Sequence, residues 1–214
     1  MSGERYVPAA GRGWLTRLYD PAMAATMREQ RWRPRLVQAV LAGLPAGGRV
    51  IDVGTGTGAL ALRLASAGAA VTGVDGDEAV LALARRKPGA ERVSWSTGLA
   101  TALPLEDASA DRVVMSLLLH HLTDADKQRA LEEARRVLRP GGRLHVADWG
   151  RPRGSLPRAG FAALRLLDGR ENTRAHAAGQ LADAIRAAGL PDARVGYRLG
   201  TTWGTLELIA ATRP

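Results

Sequence analysis

Short apolar runs alternate with longer stretches of helical spacing along most of this chain. The apolar runs predict five buried strands, which we place at 50–53, 70–75, 93–96, 113–119 and 143–149. Apolar residues recur at three- and four-residue intervals between some of these strands and predict helices at 59–67, 76–87 and 126–138. Regular alternation of strand and helix indicates an α/β fold with a parallel sheet.

Three glycines at alternate positions, Gly54, Gly56 and Gly58, follow the first strand. Glycine lets the backbone turn sharply and approach a ligand, and the helix that follows offers free N–H groups at its start. The second strand ends in Asp75, where an acid can accept hydrogen bonds from the two hydroxyls of a ribose. This strand, turn and helix therefore predict a βαβ nucleotide-binding unit.

Two ligand classes share these features. Gly54, Gly56 and Ala59 fit the G-x-G-x-x-G/A fingerprint of dinucleotide-binding proteins, and such a match has little specificity by itself. The pattern Asp52-x-Gly54-x-Gly56-x-Gly58 resembles instead motif I of class I S-adenosylmethionine (SAM) methyltransferases.

The resemblance continues beyond motif I. The segment 98–114 resembles the G-D-A-x-x-L-P-F-x-D-x-S-F-D-x-V-x segment of the UbiE/methyltransferase-11 type family, and Leu-Arg-Pro-Gly-Gly at 138–142 is another signature of that family. The resemblance covers about residues 49–149. It implies a Rossmann-like, seven-stranded, mostly parallel sheet with helices on both faces and an antiparallel last strand.

The resemblance also implies SAM as the cofactor and assigns residues to it. Gly54 and Gly56 would face the amino-acid end of SAM, Asp75 the ribose, and Ser116 with the carbonyl that follows it the methionine portion. The full set of expected cofactor-binding residues is Tyr19, Asp52, Gly54, Thr55, Gly56, Gly58, Asp75, Gly76, Leu99, Ala100, Ser116 and Leu117. Tyr19 belongs to a Tyr-Asp pair that such families often carry before motif I.

One position departs from the family pattern. The residue after Gly98 is Leu99 where the family usually has aspartate, and leucine cannot accept a hydrogen bond from the adenine amino group. Leu99 and Ala100 can still pack on the adenine ring and offer backbone N–H groups.

Catalysis of methyl transfer requires alignment and, for some acceptors, a base. His120 and His121 follow the fourth strand and titrate near neutrality, so they are the candidate catalytic residues. His145 lies within an apolar strand and is expected to be a hydrogen-bonded core residue, whereas His176 is expected to be exposed. No metal site is expected, because two adjacent histidines make a poor one and the chain has no cysteine.

Charge is concentrated at the two ends of the 214-residue chain, whose formal net charge is +9. Residues 1–35 hold seven basic and three acidic residues, and residues 149–214 hold ten and five, whereas the middle is balanced. The excess of basic residues either lies on solvated surfaces without a binding role or binds an acidic acceptor, an anionic lipid or nucleic acid.

We expect one domain with four parts: a helical leader or lid at 1–48, a SAM-binding core at 49–149, a cap at 150–192 and a β-hairpin at 193–214. No run of eighteen apolar residues and no signal sequence occur, and cysteine is absent, so no transmembrane segment and a cytoplasmic location are expected.

The leading functional hypothesis is methyl transfer from SAM to a small molecule, and the basic ends leave an acidic acceptor open. The alternatives are methylation of an anionic phospholipid or of RNA, although nucleic acid is not the expected partner, and a SAM-binding protein with non-methylating activity. The sequence leaves the acceptor atom and the oligomeric state open.

Overall fold

The computed structural model describes residues 26–167 and 169–214, so Tyr19 lies outside the described residues. The helices in chain order are α1 (Glu29–Leu41), α2 (Ala59–Ser66), α3 (Glu78–Ala84), α4 (Asp124–Val137), α5 (Ser155–Leu167), α6 (Arg174–Ala178) and α7 (Leu181–Ala187). The strands are β1 (Arg49–Val53), β2 (Ala70–Asp75), β3 (Val93–Thr97), β4 (Ala110–Ser116), β5 (Leu138–Gly150), β6 (Arg194–Gly200) and β7 (Thr205–Thr212). Two 3₁₀ turns occupy Ala90–Arg92 and Leu119–His121.

The seven strands form one sheet in the order β3-β2-β1-β4-β5-β7-β6. The first five strands pair in parallel, and β7 runs antiparallel to both of its neighbours, β5 and β6. This arrangement confirms the predicted fold class, including the antiparallel last strand. The strand order reverses between β1 and β4, and open parallel sheets bind ligands at the carboxyl edge beside such a reversal.

The fourth strand ends three residues earlier than the sequence predicts. β4 stops at Ser116 because Leu117 adopts a left-handed conformation with φ of 55°, which no extended strand can continue. The Leu117 N–H still donates to the carbonyl of Ala147 at 2.8 Å, so the chain stays attached to β5 while it turns. This turn carries the chain into the 3₁₀ turn that contains both candidate histidines.

Two apolar clusters fill the two faces of the sheet. Val113 and Val114 belong to different clusters because neighbouring residues of a strand point to opposite faces. α4 and α7 cover one face, and α1 and α2 cover the other.

The helix α1 is part of the core, although the sequence assigns it to a leader or lid. Its residues Trp32, Leu36 and Val40 are fully buried in the cluster that also contains Leu64 of α2. α7 likewise packs on the sheet through Leu181, although it falls within the expected cap at 150–192. The division into leader, core, cap and hairpin stays a prediction, with these two helices contributing to the common core.

Among residues 26–167 and 169–214, no helix is long and apolar enough to span a membrane.

Candidate active site

The glycine turn leaves the carboxyl end of β1 in a conformation that depends on glycine. Gly54, Gly56 and Gly58 all have positive φ, at 68°, 55° and 75°. The N–H groups of Gly54 and Thr55 donate to the carbonyl of Val74 at 2.8 and 3.0 Å, which fixes the turn to the end of β2. A Cβ added at Gly56 would meet no atom within 4 Å, so the turn is open on that side.

Asp75 connects the end of β2 to this glycine turn. Its Oδ2 accepts a hydrogen bond from the Gly56 N–H at 2.8 Å, and its Oδ1 accepts one from the Asp77 N–H at 3.0 Å. The side chain is half-buried, as is Gly76 beside it. Each carboxylate oxygen has a second lone pair, so Asp75 can accept further hydrogen bonds from a ligand.

Asp52 is buried beneath the same turn. Its Oδ2 accepts the hydroxyl of Thr55, which is also buried, at 2.8 Å. Burial raises the pKa of Asp52 to about 7, although the hydrogen bond from Thr55 opposes this rise. Asp52 therefore contributes a carboxyl group that changes charge near neutral pH.

The residues expected along the adenine and methionine lie at the same edge. Leu99 and Ala100 are half-buried just beyond β3, and the Gly98 N–H donates to the carbonyl of Asp75 at 3.0 Å. Ser116 and Leu117 are half-buried at the end of β4. The glycine turn touches the chain after β4 as well, since a Cβ at Gly54 would lie 2.8 Å from the Leu118 side chain.

His120 is buried and held by a carboxylate. Its Nδ1 lies 2.8 Å from Oδ1 of Asp148, which is fully buried near the end of β5. The neighbouring His121 is half-buried, and the two imidazole centroids are 4.0 Å apart. The candidate catalytic histidines therefore occupy different environments.

Asp148 is a site residue that the sequence reasoning missed. Its carboxylate accepts the N–H of Leu119 at 2.8 Å and of Trp149 at 2.7 Å, in addition to His120. Burial opposes ionisation, but the interaction with His120 outweighs it and holds the pKa of Asp148 well below its usual range. The sequence feature that could have indicated Asp148 is an acidic residue near the carboxyl end of an apolar strand.

The sequence prediction for His176 was wrong, since this residue is fully buried rather than exposed. α6 places its Nε2 3.7 Å from Oδ1 of Asp148, and its ring meets that of His120 edge-on with centroids 6.3 Å apart. Neither ring nitrogen has a hydrogen-bond partner in the described part of the chain. Burial lowers the pKa of His176 to about 4, so the imidazole is neutral at pH 7. A five-residue helix gives no periodic pattern from which this burial could be predicted.

His145 is buried in β5 as the sequence predicts, but the expectation that it is hydrogen-bonded was wrong. Its Nε2 has no partner among the described residues. Burial, followed by the nearby positive charges of Arg112 and Arg143, lowers its pKa to about 4.

A buried lysine ties the segment after α5 to the candidate site. Lys127 of α4 donates to the carbonyl of Leu122 at 2.8 Å, to Asp124 at 3.2 Å and to the carbonyl of Asn172. Asn172 in turn donates from Nδ2 to the carbonyl of His121 at 3.1 Å. Burial lowers the pKa of Lys127, although Asp124 opposes the shift.

In the described ranges, no group of three or more histidine, aspartate or glutamate side chains could hold a metal ion.

Comparison with known proteins adds sequence similarity to this geometry. The methyltransferase domain family matches residues 50–142. The chain is 37% identical over 134 residues to a demethylmenaquinone methyltransferase of Clavibacter sepedonicus, which spans 62% of this chain and 53% of that protein. It is 35% identical over 135 residues to the ubiquinone/menaquinone biosynthesis C-methyltransferase UbiE of Geobacter sulfurreducens, which spans 60% and 51%. The chain thus spans about half the length of these curated relatives.

The fold also matches solved structures. One is phosphoethanolamine N-methyltransferase 2 of Haemonchus contortus in complex with phosphomonomethylethanolamine and S-adenosylhomocysteine, with a TM-score of 0.65 and 20% identity. The match covers 84% of this chain and 52% of that one. Similarity at this level of identity concerns the fold.

Proposed function

We propose that this chain is a class I SAM-dependent methyltransferase that transfers the methyl group of SAM to a small-molecule acceptor, and its similarity to the methyltransferase domain family and to the two relatives above supports this. The observation that carries this proposal is the buried pair of His120 and Asp148 beside an intact glycine turn. The turn and Asp75 account for cofactor binding, and the pair supplies a base.

The residues at the carboxyl edge fit the cofactor. The open side of Gly56 leaves room for a ligand against the backbone, and the remaining lone pairs of Asp75 suit a ribose diol. Leu99 and Ala100 would pack on the adenine, and Ser116 and Leu117 would line the methionine portion. Tyr19 is proposed to contact SAM on the basis of the sequence alone. Bound SAM supplies an activated methyl group on a sulfonium leaving group.

His120 is the proposed general base. The ionised carboxylate of Asp148 can only accept hydrogen bonds, so the proton of neutral His120 is assigned to Nδ1 and the lone pair to Nε2. Nε2 can then take a proton from the acceptor, and the carboxylate stabilises the imidazolium that forms. Asp148 thus acts as a positioning residue, and His121 is the second candidate base.

We propose a phenol or hydroquinone ring as the acceptor. The relatives above are named as demethylmenaquinone and ubiquinone/menaquinone methyltransferases, which supports a quinone-type acceptor. Removal of a ring hydroxyl proton by His120 would leave a phenolate, whose oxygen would donate electrons to the ring carbon that accepts the methyl group. Loss of the proton on that carbon would then restore the aromatic ring and the hydroxyl group. In this reaction, the neutral imidazole of His120 would act as the base that removes the hydroxyl proton.

Cofactor binding is tested by calorimetry on the purified chain with S-adenosylhomocysteine and, separately, NAD. We expect binding of S-adenosylhomocysteine and none of NAD. Asp75→Ala should weaken binding by at least about 30-fold, or about 2 kcal/mol, because a charged acceptor for two hydroxyls is lost. Asp77→Ala is the matched control, because Asp77 caps α3 through the N–H groups of Ala79 and Val80. Preference for NAD would refute the cofactor assignment.

Methyl transfer is tested with methyl-labelled SAM and 1,4-naphthohydroquinone under reducing conditions. We expect label in the naphthohydroquinone, and Asp148→Asn should lower kcat by about 100-fold because the base loses its orienting carboxylate. Unchanged affinity for S-adenosylhomocysteine in this variant shows that the fold persists. Equal turnover by Asp148→Asn would show that the His120 pair is not the base.

A further inference from the structure

The outer face of α5 is apolar, which is unusual for a helix that faces solvent. Leu156 and Leu166 are 63% and 72% exposed. They share this face with three exposed alanines at helical spacing, Ala159, Ala162 and Ala163. The face is about 15 Å long between its two leucines. We call these five residues the α5 stripe.

The stripe cannot turn inward, because the opposite face of α5 is already packed. Phe161 and Leu164 are buried in the core cluster. A Cβ at Gly160 would collide with the carbonyl oxygen of Thr202, so the helix lies in close contact with the loop between β6 and β7. The two leucines therefore stay on the outer face of the helix.

Arginines surround the stripe. Arg158 is exposed on α5 itself, Arg151 and Arg153 precede the helix, and Arg170 follows it; all four side chains are exposed. None of the four has a carboxylate partner in the described part of the chain. By contrast, Arg174 nearby pairs with Asp124 at 2.7 Å.

From this combination we infer that α5 docks on a membrane surface that carries anionic lipids. An apolar helix face bordered by arginines fits an interfacial helix, whose leucines enter the acyl boundary while its cations meet lipid headgroups. Pairing of two copies through the stripe would bring the arginines of one copy close to those of the other, and this repulsion disfavours self-association. Nucleic acid would satisfy the arginines and leave the leucines in water.

The segment that follows α5 connects the docked helix to the candidate site. The segment that follows α5 reaches inward, where Asn172 donates to the carbonyl of His121 and His176 approaches Asp148. A membrane-dissolved acceptor could reach the site along this segment. That part of the inference rests on the proposed function, whereas docking of α5 on the membrane does not.

The test measures co-sedimentation of the full chain with vesicles of phosphatidylglycerol and phosphatidylcholine and with vesicles of phosphatidylcholine alone. We expect binding to the anionic vesicles that weakens with salt, and little binding to the neutral ones. The double variant Leu156→Gln/Leu166→Gln should bind at least tenfold more weakly. Arg153→Gln/Arg158→Gln should also lose about tenfold or more.

The charge-matched control is Arg63→Gln/Arg86→Gln, which removes two exposed arginines outside this region and should bind anionic vesicles like the wild type. Affinity for S-adenosylhomocysteine verifies that each variant is folded, and this readout is separate from vesicle binding. Wild-type binding by the double leucine variant, or no binding of the wild type to anionic vesicles, would overturn the inference. A dimer in sedimentation velocity that the leucine variant dissociates would assign the stripe to self-association instead.

Discussion

At the scale of single residues, the carboxylate of Asp148 holds together three stretches of the chain. It belongs to β5, accepts a hydrogen bond from the backbone N–H of Leu119 after β4, and lies 2.8 Å from Nδ1 of His120. Its Oδ1 also lies 3.7 Å from Nε2 of His176 in α6. Because all of these groups are buried, loss of the carboxylate would leave several polar groups without a partner. The orientation of His120 therefore depends on residues distant in sequence.

His176 should make the protein sensitive to acid. Its pKa of about 4 in the folded state lies below the usual value of 6.5, so between these pH values the unfolded chain binds a proton that the folded chain does not. The free energy of unfolding should fall as the pH drops through this range. His176→Leu should reduce the loss between pH 7 and 4.5 by up to about 2 kcal/mol.

Urea unfolding of both proteins at the two pH values measures this difference. Asp52 has the opposite sign, because its raised pKa makes protonation stabilising as the pH falls, but it is present in both proteins and cancels. His145→Leu is a second variant with the same expectation, since His145 also has a lowered pKa. Identical pH dependence in wild type and His176→Leu would show that folding does not lower the pKa of His176.

Leu99 tests the adenine end of the proposed site. Leu99→Asp should tighten binding of S-adenosylhomocysteine by up to about 1 kcal/mol, because a carboxylate there could accept a hydrogen bond from the adenine amino group. Calorimetry measures the change, with Leu99→Asn as a neutral companion that offers an amide oxygen. A large loss of affinity in both variants would mean that this position requires an apolar side chain.

At the scale of elements, two non-glycine residues in left-handed conformations flank the strand β4, one near each end. Leu117, with φ of 55°, ends the strand, and Ala108, with φ of 51°, lies two residues before it begins. Ala108 is exposed, and its N–H donates to the carbonyl of Arg136 at 3.0 Å, which ties this turn to the last turn of α4. The backbone therefore bears a local conformational cost at both ends of the strand that leads to the histidines.

Ala108→Gly should stabilise the protein by up to about 1 kcal/mol. Relief of the left-handed conformation is worth about 1–2 kcal/mol, and the greater freedom of glycine in the unfolded chain offsets part of this gain. Ala82→Gly within α3 is the matched control and should destabilise by about 1 kcal/mol. Thermal unfolding measures both. Equal destabilisation by the two substitutions would argue against strain at Ala108.

The elements that the sequence predicts well are those that follow an apolar pattern. The strands β1 to β3 and the helix α2 were predicted to within one or two residues, because Val50 or Leu64 reports burial directly. The end of β4 could not be predicted, since Leu117 is as apolar as a strand residue and its conformation depends on the contact with β5. Asp148 and His176 were missed for a related reason, because their burial arises from contacts with distant elements.

At the scale of the whole molecule, the N-terminal helix α1 closes one face of the sheet. Trp32 is among the largest fully buried side chains, and it shares a cluster with residues of β1, β4 and α5. The core therefore begins before the first strand. A division at residue 48 would separate Trp32 from the residues that bury it.

Trp32→Ala should destabilise the protein by about 3–5 kcal/mol, because it leaves a large cavity in the core. Gln38→Ala, at an exposed position on the same helix, should change stability by less than about 0.5 kcal/mol. Denaturant unfolding measures both variants. A small effect of Trp32→Ala would mean that α1 detaches easily, as expected of a lid.

The position of β7 has a consequence for the order in which the chain can assemble. β7 is the last of the seven strands to leave the ribosome, yet it lies between β5 and β6, and β6 pairs with no other strand of the sheet. Until β7 emerges, β5 presents an open edge to other nascent chains, and such edges favour aggregation. A chain whose translation stops before Thr205 would lack only the residues of β7. Because β6 joins the sheet through β7, the sheet of that chain would lose both strands.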